Sequence, residues 1–314
     1  MAAIDASSST SKQHHTALML ALGGALLFST KPILIKWLYS QGVDVLPMMW
    51  LRMLLSLPFY LIMGALAWRK LDQPVSMKLV LQAAMVGLLG YYLASLLDLM
   101  GLQYVSAQLE RLLLYAYPTL VVILGALLFG HVFRITMLIP MLLTYAGLAL
   151  MFGQDLNFLN VDSHRDLTRG TMLVLGSAVA FALYLLYSKP YIGKLGSVLF
   201  TAVAMTSATV ATAVHFGLHA ESHTSLFALP EYSLEIWLGM VGLAVFATVL
   251  PSFLVSEAIK HLGAATTSLT GTLGPVATTV LAIIFLNEPF SLPGAVGMAM
   301  VIGGVWILSR MRSS

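Results

Sequence analysis

Five ionisable side chains, Lys31, Arg52, Asp98, Glu110 and Arg111, fall inside long apolar runs of a 314-residue chain. An ionised group near the centre of a bilayer costs at least about 2.5 kcal/mol on insertion scales, so each needs a chemical reason to be there. A guanidinium binds a carboxylate or phosphate through two parallel hydrogen bonds, an ammonium does so as a point charge, and a carboxylate takes a cation or a proton. Three positive and two negative groups leave a surplus positive charge, which in a low-dielectric cavity would attract an anion. The competing reading is a closed salt-bridge network, or long side chains snorkelling to the interface. Arg52 and Asp98 are read as such a gating or structural network. Lys31, Glu110 and Arg111 are read as contacts to a bound small molecule.

The surroundings of Glu110 and Arg111 make that chemistry more specific. Residues 106–118 read SAQLERLLLYAYP and residues 263–275 read GAATTSLTGTLGP; both end in a proline, yet the second has Thr267 and Ser268 where the first has its charges. At helical spacings of three and four, Tyr104, Gln108, Arg111 and Tyr115 share one stripe, and Gln103, Ser106, Glu110 and Tyr117 an adjoining one. The second stretch presents hydroxyls, Thr267 among them, which also suit close helix packing. Tyr91, Tyr92 and Tyr184 fall near mid-helix and, with Trp50, could shape the apolar part of a cavity. A tyrosine hydroxyl in such a place needs a hydrogen-bond partner. Trp37, Tyr39 and Trp68 stand near helix ends, where interfacial aromatic anchors collect.

Other chemistries find little support. The chain has no cysteine, which excludes disulfides and thiolate catalysis. No Gly-rich phosphate loop, HExxH or metal-ligand spacing appears, so no metal and no cofactor is expected, and Glu110 beside Arg111 does not make a nucleophile with its base. His14, His15, His219 and His223 sit in polar segments, and His215 near a helix end. Nucleic-acid binding is not suggested, and the chain is not read as an enzyme.

The elements that must position these groups are membrane helices. Hydrophobic residues make up 59% of the chain and charged ones 9%, against roughly 25% charged in soluble domains. Runs of about 20 apolar residues recur, each long enough to cross a bilayer as a helix, and the short alternation of a transmembrane β-barrel is missing. The reading is an all-α polytopic membrane protein with ten transmembrane helices, near 17–38, 45–67, 79–101, 104–129, 134–152, 170–190, 196–218, 233–257, 262–286 and 292–309. Residues 1–16 read as a disordered tail and 310–314 as a C-terminal one. Pro32, Pro118, Pro190 and Pro275 remove backbone hydrogen bonds and are read as hinges.

Basic residues set the orientation. With both termini cytoplasmic, the inner side gains Lys12, Arg69, Lys70, Lys78, Arg134, Lys194, Lys260, Arg310 and Arg312, and the outer side only Arg165 and Arg169. The chain also divides at the loop 153–169. A shift of 157 places Pro118 on Pro275 and Gly147 on Gly304, and a shift of 153 places LGGALLF (22–28) on LGSAVAF (175–181). Two five-helix repeats follow, 17–152 and 170–309. Five is odd, so the second enters from the opposite face, an inverted topology found in transporters that alternate access around a midplane site. That topology puts all five charges at similar depth, toward the outside.

The helix 4–5 unit QYVSAQLERLLLYAYPTLVVILGALLFGHVFRITMLIPMLLTYAGLALM, its counterpart KHLGAATTSLTGTLGPVATTVLAIIFLNEPFSLPGAVGMAMVIGGVWIL and ALLFSTKPILIKW in helix 1 resemble the EamA-type branch of the drug/metabolite transporter superfamily over about residues 17–309. The resemblance implies a bacterial inner-membrane carrier, often an exporter of amino acids, with a cavity lined by helices 1, 3, 4, 6, 8 and 9. It also implies an acidic residue after both helix 4 and helix 9, whereas this chain has His131 and Glu288 there. The expectation is a secondary transporter exporting amino acids or related zwitterions by alternating access. Arg111 and Lys31 would hold an anionic group, Glu110 an ammonium or a coupling proton, and the tyrosines the apolar part. Uptake or exchange of an anionic or phosphorylated metabolite against a counter-substrate stays open, as does a non-transporting, lipid-handling role.

Overall fold

Apolar runs longer than a bilayer is thick have only one way to satisfy their backbone without water, which is to bond it internally as helix. The computed structural model describes residue 16 and residues 18–71, 74–130, 134–158, 164–219, 231–254 and 273–313. Every element among them is helical. Eight helices are long and apolar enough to cross a membrane: α1 (Leu18–Ser40), α2 (Val45–Trp68), α3 (Met77–Leu102), α4 (Ala107–Phe129), α5 (Ile135–Leu156), α6 (Arg165–Leu195), α7 (Ser197–His219) and α8 (Leu234–Leu254). Two shorter apolar helices follow, α9 (Leu273–Leu286) and α10 (Leu292–Ser313). The stretch around Thr267 lies outside the described residues.

Local sequence explains where helices begin and end. Ser76, Ser106 and Ser233 precede α3, α4 and α8, and each hydroxyl accepts the amide three residues on, from Leu79, Leu109 and Ile236 at 3.3, 3.0 and 3.4 Å. Such caps satisfy amides that the helix itself leaves open. Gly130 takes a left-handed φ of 64° and stops α4. Asn287 does the same for α9 at φ 51°, and the Glu288 amide turns back to the Ala282 carbonyl at 3.1 Å.

Two kinds of irregularity interrupt the spans. Thr30 and Ala116 break α1 and α4, each two residues ahead of a proline, Pro32 and Pro118, that stands in the first turn of the segment that follows. Pro190 behaves differently and lies inside an uninterrupted α6, while Pro275 sits in the first described turn of α9. The second irregularity is a π turn in α3, Leu88–Leu93, and another in α8, Val245–Val249. A π turn disturbs the regular carbonyl pairing, and hydroxyls of neighbouring helices reach the carbonyls beside both. Ser207 bonds Ala84 O at 2.9 Å, Ser177 bonds Ala94 O at 2.7 Å and Ser56 bonds Ala244 O at 3.4 Å.

Packing pairs α5 with α10, α2 with α7 and α3 with α6; α4 lies against α6 and α9, and α1 against α8 and α9. Met48, Met49, Leu51, Leu99, Leu102, Leu109, Leu112 and Met151 are fully buried between helices. Leu61, Ile62, Leu127, Ile139 and Leu142 face outward, as lipid contact requires. The α5–α10 pair packs backbone close to backbone. A Cβ on Gly147 would collide with the Gly297 carbonyl, and one on Gly304 with the Thr144 hydroxyl and Pro140 carbonyl. Small residues permit that approach in a medium where apolar burial gives little drive for association.

This packing makes Gly147→Ala destabilising by about 1–3 kcal/mol, the usual cost of overfilling a close contact. Thermal melting of the detergent-solubilised protein should show the loss. Gly153→Ala, whose Cβ would meet nothing within 4 Å, should not lower the melting temperature.

Candidate functional site

Asp98 of α3 is the hub on which the buried charges converge. It is 2% exposed, and its Oδ2 accepts from Lys31 Nζ at 2.8 Å. Lys31 stands at the break in α1, where the Lys31-Pro32 step restarts the helix. The Glu110 carboxyl of α4, 1% exposed, lies within hydrogen-bonding reach of the Asp98 carboxyl. Arg52 of α2, 3% exposed, interacts electrostatically with Asp98 and faces Tyr60 and Tyr39. Tyr39 in turn donates to the Leu99 carbonyl at 2.7 Å. Four helices thus bring Lys31, Arg52, Asp98 and Glu110 together.

Not all of the polar atoms in this cluster are used. Among the described residues, Arg52 Nε and Nη2 and Arg111 Nε have no hydrogen-bond partner, although all three are buried. Two facing carboxyls satisfy each other only with a proton or a cation between them. Buried polar atoms left without partners cost free energy, so the arrangement is costly as a closed structural network and suited to a guest with both signs of charge.

Arg111 belongs to the edge of this cluster. It interacts electrostatically with Glu110 and Tyr115, and its guanidinium lies along α9, where a Cβ on Gly274 would come within 3.0 Å of Nη2. Nearby, α1 and α9 exchange hydrogen bonds: Ser29 donates to the Gly274 carbonyl at 3.1 Å and Thr278 to the Ser29 carbonyl at 3.2 Å.

The aromatic candidates divide into two groups. Tyr91 and Tyr184 meet edge to face at 5.2 Å with their hydroxyls 3.3 Å apart. Tyr184 stacks on Phe181, and Phe181 meets Tyr117 of α4 at 5.4 Å. Tyr184 also stacks on Phe200, and a Cβ on Gly90 would collide with the Tyr184 ring. Tyr92, next to Tyr91 in the π turn, points elsewhere and bonds His215 Nδ1 at 2.9 Å. Trp50 stacks on Phe216 at 6.3 Å. Tyr92 and Trp50 therefore face α7, apart from the ladder that links Tyr91, Tyr184 and Tyr117.

The polar face expected on α4 is shared among separate tasks. Tyr104 holds Arg169 over its ring at 5.1 Å, Ser106 caps the helix, and Gln108 donates to the Pro289 carbonyl at 3.1 Å. Glu110, Arg111 and Tyr115 are left to form the charged cluster. Sequence reasoning did not single out Asp155, Phe181 or Phe200. A groove of about 440 Å³ does exist, lined by Ile33, Trp37, Gly239 and Phe285. It lies on the flank of α1, α8 and α9, and among the described residues Glu235 is the one charged residue lining it.

Comparison with known proteins agrees with a transporter scaffold. The EamA-like transporter family profile matches the chain twice, over residues 15–153 and 168–310. The uncharacterized transporter YcbK of Bacillus subtilis strain 168 is 27% identical over 285 residues, 91% of this chain and 88% of its own length. GDP-fucose transporter 1 of Dictyostelium discoideum is 33% identical over 108 residues, 32% of this chain and 29% of its own. A solved crystal structure shares the fold with a TM-score of 0.62 at 17% identity, covering 95% of this chain and 98% of the other. Matched in both halves and built of membrane-spanning helices, the chain belongs to the EamA-like transporter family: it is a multi-pass membrane transporter and not an enzyme.

Proposed function

We propose that the chain is a secondary transporter that exports amino acids or related zwitterions across a bacterial inner membrane by alternating access. The observation that carries the reading is the buried cluster at Asp98, where a Lys31 ion pair, a second carboxyl and two incompletely bonded guanidinium groups meet. A zwitterion supplies what each part lacks. Its carboxylate fits Arg111 and Lys31, and its ammonium, or a coupling proton, fits Glu110. The ladder of Tyr91, Tyr184 and Tyr117 offers an apolar wall for its side chain, and Thr267 a hydroxyl from the second half. Arg52 and Asp98 hold the cluster in register.

Ten membrane helices in two inverted halves, with both termini cytoplasmic, form the mechanical part of the proposal. The family profile matches each half separately. The π turns begin at residues 88 and 245, a separation of 245 − 88 = 157, which is the shift that superposes Pro118 on Pro275. Helix pairings support the same relation: adding five to each helix number turns the α3–α6 contact into α8–α1 and the α4–α6 contact into α9–α1. The breaks ahead of Pro32 and Pro118, together with Pro190 and Pro275, would absorb the rocking of one half against the other.

A second reading is exchange of an anionic or phosphorylated metabolite against a counter-substrate. It draws on the surplus positive charge of the cluster and on the partial similarity to a protein named as a GDP-fucose transporter. Counterflow in proteoliposomes separates the two: preloaded amino acids should drive uptake of labelled amino acid, and preloaded nucleoside diphosphate sugar should not.

Glu110→Gln and Arg111→Ala, each inserted at parental levels, should lower amino-acid transport in proteoliposomes by roughly tenfold or more, the scale of one lost hydrogen bond to a charged group. Parental rates in both would sink the assignment. Gly274→Ala should act more selectively. Its methyl displaces only the flexible end of Arg111, so the substrate concentration for half-maximal transport should rise several-fold with little change in melting temperature.

A further inference from the structure

The helix that carries Glu110 and Arg111 is held at its first turn by parts of the chain far from it in sequence. Four successive amides at the start of α4 each find a side-chain acceptor. The Ser106 amide donates to Asp155 Oδ2 at 3.0 Å, the Ala107 amide to Glu288 Oε1 at 2.7 Å, the Gln108 amide to Glu288 Oε2 at 3.3 Å and the Leu109 amide to Ser106 Oγ at 3.0 Å. One serine cap and water suffice for most helices; here two carboxylates from other elements converge on one terminus. Asp155 comes from the end of α5 and also accepts the Ser106 hydroxyl at 3.0 Å. Glu288 comes from the turn between α9 and α10.

That turn is tied down from both sides. Gln108 and Gln154 donate to the Pro289 carbonyl at 3.1 and 3.5 Å, and Ser291 donates to Gln154 Oε1 at 2.6 Å. Asn287, in a left-handed conformation, reverses the chain after α9, and Pro289 cannot continue a helix. Next to it, Ala107, Ile33 and Ala282 from α4, α1 and α9 form a small apolar plug in which both alanines are fully buried. The carboxylates favour the positive end of the α4 dipole, so the contact is both polar and directional.

The geometry points to Glu288 as a positioning residue that latches the α9–α10 turn onto α4, with Asp155 as the second catch. The latch closes the end of the bundle opposite the termini and fixes the turn from which Glu110 and Arg111 project. Opening that end requires both Glu288 bonds to break. The device is one-sided: the residue 157 positions before Glu288 is His131, so the second end has no matching carboxylate in sequence, and the resting protein favours a closed outer end. This inference rests on the alternating-access reading, and its test needs no substrate.

The chain contains no cysteine, so Ala107→Cys places a single thiol in the plug. Its labelling by a membrane-impermeant maleimide, in sealed right-side-out vesicles, reports how often the outer end opens. With Glu288 present, labelling should be slow. With Glu288→Gln, it should be roughly tenfold faster, because the charged acceptor of two amides is gone. Thr144→Val, which loses a bond from Thr144 to Pro140 within α5 and away from the latch, serves as the control for general loosening. Equal labelling with Glu and Gln at 288 would overturn the proposal. So would an acceleration that Thr144→Val reproduces at a matched fall in melting temperature. Faster labelling confined to Glu288→Gln, in a protein that carries no amino acid in proteoliposomes, would remove the amino-acid reading and leave the latch standing.

Discussion

A charge in hydrocarbon has to bring its own solvation with it, and the centre of this protein is arranged around that requirement. Asp98 on α3 is unaffordable alone; Lys31, Arg52 and Glu110 surround it from three other helices. Each of those side chains can reach it only if its helix holds a fixed height and rotation. The Lys31-Pro32 break sets these for Lys31, the π turn in α3 for Asp98 itself, and the capped first turn of α4 for Glu110. The helix packing, rather than any loop, therefore carries the precision of the cluster. The excess of unsatisfied donors shows that the arrangement is not optimised for stability, because an apolar core of the same volume would cost less.

Much of this was legible in the sequence, for reasons that differ from residue to residue. The long apolar runs announce spanning helices, since only length and hydropathy matter for that inference. The five intramembrane charges stand out because each is expensive where it lies, and the structure brings four of them into one cluster with Arg111 at its edge. Tyr91 and Tyr184 were legible as mid-helix hydroxyls in need of partners, and they are each other's partner.

What the sequence hid depends on contacts between distant segments. Phe181 and Phe200 are ordinary aromatics until the fold stacks them on Tyr184. Asp155 reads as one more loop charge, because nothing local says that its carboxylate will meet an amide 49 positions away. Tyr91 and Tyr92 look alike in sequence, yet one turns to α6 and the other to α7. Pro190, read as a hinge like Pro32 and Pro118, lies within a continuous helix, where neighbouring helices and side chains can shelter the carbonyl it leaves open.

The π turn in α3 also constrains how this protein can change over generations. A π turn is one residue more than the regular helix needs, and each residue of an α-helix advances the phase by about 100°. Deleting any single residue between Leu88 and Leu93 would leave α3 long enough to span the membrane and regular throughout. It would also rotate everything after it, Asp98 included, by about that angle. The helix would then be better as a helix and blind to Lys31. The irregularity thus works as a phase key, and the natural tendency of an isolated helix to lose it is opposed by the ion pair that it aligns.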